Sequence, residues 1–108
     1  MSGSQFSPFK GKWRIVEMDL WDREYLDMID PAHITFQKQD RGEFSFGCVQ
    51  ASMTCSYGTE TVFFTWEGAD EMDPVDGEGF AELTESGTIE GEITLRNGDE
   101  SGFKAKRM

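Results

Sequence analysis

The chain has one histidine, two cysteines and three prolines in 108 residues, and from Gly42 to Leu95 it has no lysine or arginine at all. Each shortage removes a class of function. A single histidine, His33, rules out multi-histidine metal sites and argues against a histidine-based triad. Two cysteines without a second pair do not make a zinc framework. Cys48 and Cys55 could face each other across a turn at Ala51-Ser52, although a cytoplasmic setting favours buried free thiols. No phosphate loop or dinucleotide fingerprint occurs, the glycines falling at turns, so no cofactor is expected. No apolar run approaches the roughly 20 residues that a membrane helix needs, so no membrane contact is expected. The opening stretch, Met1-Ser2-Gly3-Ser4-Gln5-Phe6-Ser7-Pro8, lacks a charged start followed by an apolar run. No signal peptide is read there, and the expected location is cytoplasmic.

The missing cations weigh most. Twelve Asp and Glu fall between Gly42 and Leu95, so this segment carries −12 of a formal net charge of −11 and leaves +1 for the rest. With a pI near 4.3, a nucleic-acid partner is excluded. The same charge keeps a chain soluble and would suit a basic protein partner.

The densest acidic stretch runs from Glu67 to Glu78 and invites a calcium reading. A twelve-residue calcium loop needs oxygen ligands at positions 1, 3 and 5. Counted from Asp70, those places hold Asp70, Met72 and Pro74, so two fail. No metal site is expected, and carboxylates fixed on a rigid apolar background for acid–base catalysis are not evident either. An enzyme is therefore the least supported class.

What the chain does have is aromatics: nine Phe, three Trp and two Tyr. They fall in β-type runs, which suits one sheet-built domain. Residues 1–10 read as an N-terminal arm whose Phe6 and Phe9 could plug one end of the core, and 11–108 as the domain. A strand over 11–18 alternates, with Trp13 and Ile15 on one face and Arg14 on the other. Asp19 is a candidate N-cap for a helix over Leu20–Asp30, with Trp21, Tyr25, Met28 and Ile29 in one apolar stripe, ended by Pro31. From Ala32 the period becomes two. Ile34, Phe36, Phe44, Phe46, Cys48, Met53, Cys55, Tyr57, Val62, Phe64 and Trp66 form the inward set, followed by Ala81, Leu83, Ile89, Ile93, Leu95, Phe103 and Ala105. Glu67–Glu78 reads as an acidic connection.

A three-residue loop at Asn97-Gly98-Asp99 would set Ile93 opposite Phe103, Gly91 opposite Ala105, Glu92 opposite Lys104 and Glu90 opposite Lys106. About eight antiparallel strands joined by short turns suggest an up-and-down β-barrel with one short helix between strands 1 and 2, its first strand closing on its last. Lys12, Arg14, Lys104 and Lys106 would then share a basic stripe.

Gly11-Lys12-Trp13-Arg14-Ile15-Val16-Glu17, followed by a helix carrying Trp21, Asp22, Tyr25 and Leu26, resembles the opening of calycin barrels. It is most similar to fatty-acid-binding proteins, in which Gly-x-Trp begins strand 1 and a helical segment lids the barrel. It also resembles a group of small uncharacterised bacterial proteins with the same Trp-Arg-Ile start. The lipocalin-type resemblance implies a basic residue of the last strand, Arg107, packed over Trp13. A calycin-type carrier would hold a small apolar ligand among Trp13, Tyr25, Phe36, Phe46, Tyr57, Trp66 and Arg107. The Arg and Tyr anchor of fatty-acid-binding proteins is missing, and the inward residues are large enough to fill an eight-stranded barrel. The function expected first is therefore a non-enzymatic module that binds a basic protein. Its contact residues would be Asp70, Glu71, Met72, Asp73, Val75 and Asp76, with the apolar-ligand carrier as the alternative.

Overall fold

The computed structural model describes residues 9–29, 31–37, 39–96 and 98–108. Eight strands run β1 (Gly11–Met18), β2 (His33–Phe36), β3 (Arg41–Phe46), β4 (Val49–Tyr57), β5 (Thr61–Asp70), β6 (Asp73–Leu83), β7 (Thr88–Leu95) and β8 (Glu100–Arg107). Each pairs antiparallel with the next, and β1 pairs with β8, so the sheet is a closed barrel. Alternation makes it so: β4 reads buried–exposed over Val49 to Ser56, and one parity sends its apolar set inward.

The interior is filled with rings. Phe44 lies 5.8 Å from Phe46, 6.5 Å from Phe64 and 5.1 Å from Trp66 between centroids. Phe9 is fully buried at the end where β1 starts, packed on Phe36 and Tyr57. It forms the expected plug; Phe6 lies outside the described residues. Trp13 is also fully buried. Its indole Nε1–H donates to the Phe9 carbonyl at 2.8 Å, and the Arg107 guanidinium lies 4.0 Å from its ring centre. Arg107 in turn donates to the Lys10 carbonyl, so the first and last strands lock over one indole.

The helix is much shorter than the sequence suggested. Only Arg23–Leu26 is helical, as α1. Asp19 cannot cap it, because its carboxylate accepts the Gly102 N–H and its own N–H bonds the Gly102 carbonyl across the β1–β8 seam. Asp22 caps instead, accepting from the Tyr25 N–H. The expected stripe breaks accordingly: Met28 and Ile29 are exposed, and Leu26 is the buried residue. Asp30, the expected last residue of the helix, lies outside the described residues.

Three turns also move. The β3–β4 turn is Gly47-Cys48, not Ala51-Ser52, which sits within β4. Gly47 takes a φ of +54°, the glycine-first pattern of a two-residue hairpin turn. Cys48 thus lies in the turn and Cys55 within β4, both free. The Glu67–Glu78 stretch is no loose connection. β5 and β6 pair through Asp70–Asp73, leaving only Glu71-Met72 as the turn. The last hairpin pairs Gly91 with Phe103, Ile89 with Ala105 and Ile93 with Ser101, two residues from the expected register. Glu90, not Glu92, therefore faces Lys104. Shifting by two keeps every side chain on its face but sets each large inward residue against a small one, as a narrow barrel requires. Lys104 consequently sits between Glu90 and Glu17, while Arg14 and Lys106 face each other, so the basic stripe is broken by acids.

Candidate functional site

The end of the barrel where β1, β3, β5 and β7 finish carries the lid segment and the β3–β4, β5–β6 and β7–β8 turns, the first two of them as neighbouring tips. Gly47 lacks a side chain because the Tyr25 ring occupies the space a Cβ would need. Trp21 stacks on Tyr25 and lies 4.9 Å from Phe46, covering the interior from above. The Gly47 N–H donates to the Leu26 carbonyl at 2.8 Å, fastening the lid to the first tip. The Glu71 N–H donates to the Cys48 carbonyl at 3.0 Å, fastening the second tip to the first.

That second tip is where the sequence placed a partner-binding site. Met72 is 94% exposed, flanked by Asp70, Glu71 and Asp73. Glu71 holds a φ of +59°, left-handed for a residue that has a Cβ, so the turn presents Met72 at a fixed place. The six expected contact residues do not all share this exposure. Val75 is half-buried against the core. Asp76 is bound by Arg96, whose hydrogen bond holds its carboxyl below the usual range. Asp70 is half-buried at the end of β5, which leaves Glu71, Met72 and Asp73 as the exposed tip. Beyond Gly77 nothing described pairs with the outer edge of β6 except the Arg96 N–H, which donates to the Asp76 carbonyl. Pro74, unable to donate there, suits this margin.

The residues expected for an apolar ligand are distributed differently. Trp13, Phe36, Tyr57 and Arg107 gather at the Phe9 end, whereas Tyr25 belongs to the lid and Phe46 lies beneath it. Trp66 packs on Phe44 and donates to the Glu78 carbonyl at 3.3 Å. They line two separate packed ends rather than one space. A groove of about 890 Å³ runs over the outer faces of β3 to β7, past Arg41, Thr54, Thr65, Glu78 and Arg96.

Burial pushes the Tyr25 phenol up, against a backbone hydrogen bond from Cys48 that lowers it. The Cys48 thiol is raised by burial and then by Glu71 and Asp70. Burial raises the Cys55 thiol most clearly, to about 11, although its hydrogen bond with Tyr57 lowers it. The folded protein therefore holds the Cys55 proton more tightly than the unfolded chain does. The stability this gives is complete below pH 9 and is lost as the pH rises through 11. A melting temperature that falls over this window is expected. Near pH 8.5 (about the free thiol pKa), iodoacetamide should label Cys48 in the native protein and reach Cys55 only on unfolding. Equal labelling of both native thiols would contradict this placement.

Two outward aromatics escaped the sequence reading. Phe63 is 59% exposed and pairs across strands with half-buried Phe80, ring centres 6.3 Å apart. The signal was Val62-Phe63-Phe64, where strict alternation sends the middle residue out. Among the described residues no group of three or more metal-ligating side chains is assembled, and no helix is long and apolar enough to cross a membrane. The fold and site define a closed eight-stranded antiparallel barrel with an acidic, methionine-tipped hairpin. Comparison with family models, curated proteins and solved structures finds no match to the chain.

Proposed function

We propose that this protein is a non-enzymatic, cytoplasmic binding module that recognises a basic protein through its acidic surface, with the Asp70–Asp73 tip as first contact. The observation that carries it is Met72: an almost fully exposed apolar side chain, on a backbone held left-handed beside it, with a carboxylate at each neighbouring position. Charge steers the encounter and an apolar anchor supplies the affinity. Met72→Ser removes the anchor at little cost in stability, since exposed positions usually change it by less than about 0.5 kcal/mol. In a pull-down from native lysate, wild type should retain a basic protein that raised salt releases and that Met72→Ser loses. Equal retention by both proteins would refute the tip.

The calycin-type carrier is the second reading. The lid over one end and the Arg107–Trp13 stack favour it. Extraction of the purified protein into organic solvent and mass spectrometry test it, and a stoichiometric apolar molecule would establish it over the module.

A further inference from the structure

We propose a second docking surface on the outer faces of β5 and β6, where the Phe63–Phe80 pair receives an extended partner segment of the pattern Arg-x-apolar-x-Arg. It rests on the acidic-module reading but lies away from the tip. Phe63 and Phe80 are cross-strand neighbours, and Glu92 of β7 faces Phe80 from the other side. Along β6, Glu78 and Glu82 lie two residues to either side of Phe80, on the same outward face. Glu82 faces Glu90 directly, a like-charge pair that weakens the sheet rather than supporting it. None of Glu78, Glu82, Glu90 and Glu92 makes an ion pair among the described residues.

Four carboxylates surround exposed Phe63 and half-buried Phe80, only Glu90 having a cation, Lys104, opposite it, and they select the partner's charge. A second copy of this chain is disfavoured, because it would bring the same acidic rim and a further net charge of −11. The spacing selects the pattern. Two residues of strand span about 6.7 Å in the protein and in an extended peptide alike. An apolar side chain seated on the two rings therefore places arginines two residues before and after it over Glu78 and Glu82. A guanidinium there gains charge-assisted hydrogen bonds to the carboxylate.

The test uses the full chain and two labelled nonapeptides, one containing Arg-Ser-Leu-Ser-Arg and one with those five residues scrambled to Leu-Arg-Arg-Ser-Ser. Wild type should bind the patterned peptide saturably and at least tenfold tighter than the scrambled one. Phe63→Ser should weaken it about tenfold, as should Glu82→Gln combined with Glu92→Gln, while Met72→Ser and a Glu17→Gln control should leave it unchanged. Equal affinity for the two peptides, or equal weakening by Glu17→Gln, reduces the effect to bulk charge and overturns the proposal. So does no binding by wild type, or a dimer in sedimentation that Phe63→Ser abolishes. Loss of binding in Met72→Ser but not in Phe63→Ser also overturns it, yet leaves the tip reading standing.

Discussion

Replacing Trp13 with alanine is expected to leave the chain unfolded, or less stable by about 3–5 kcal/mol. That is a large share of the roughly 5–15 kcal/mol typical of a whole domain. Three interactions converge on this one side chain. The indole is fully buried, its N–H has one partner in the Phe9 carbonyl, and the Arg107 guanidinium packs over its face. Alanine opens a cavity beside Phe9 and also releases Arg107 from its stack. Trp13→Phe should recover much of the packing but not the hydrogen bond to Phe9, a loss of about 1 kcal/mol. Urea unfolding of the three proteins measures both steps. A Trp13→Ala midpoint close to wild type would show that the indole does not hold this end together.

Gly91→Val is the other severe change expected. A Cβ on Gly91 would run into the Phe80 carbonyl oxygen and come within 2.7 Å of the Ala81 Cα. Both are backbone atoms of the paired strand, which cannot rotate away as a side chain can. The cost should reach or exceed the ~3 kcal/mol upper end of ordinary overpacking. Gly98→Ala is the contrast. Its φ is +106° but nothing lies within 4 Å of a Cβ there, so backbone strain alone acts, at about 1–3 kcal/mol. If the two variants unfold at the same denaturant concentration, close strand approach at Gly91 is not what requires glycine.

The barrel, its strand count and its closure were legible because period-two alternation is a local property, written into each strand separately. Trp13, Phe36, Phe44, Phe46, Val62, Phe64 and Phe103 all face inward as their parity required. What local pattern does not carry is which residue lies opposite which. The last hairpin shows this: both registers keep Ile93 and Phe103 inside, and only packing across the barrel prefers Gly91 beneath Phe103. The helix failed for a related reason. Asp19 has the composition of a cap, but its carboxylate is engaged by Gly102, a residue distant in sequence and adjacent only once the sheet closes.

Of the candidate site, Met72 and its acidic neighbours were visible as a stretch without alternation. Their setting on a two-residue tip was not. Acidic residues and a proline lower strand propensity, yet β5 supplies β6 with a complete partner through Asp73. Phe63 and Phe80 were missed because attention to the buried parity passes over the exposed one.

The β1–β8 seam joins Trp13 to Arg107, whereas each of the other strand pairs is formed by consecutive strands joined through one turn or lid segment. Bringing such distant segments together costs loop entropy before any contact repays it, and rates fall as contacts become less local. The hairpins centred on Gly47-Cys48 and Glu71-Met72 can form early, each by local closure. The ring is then expected to be sealed in a late step, in which Arg107 covers a face of the Trp13 indole that the hairpins alone leave open.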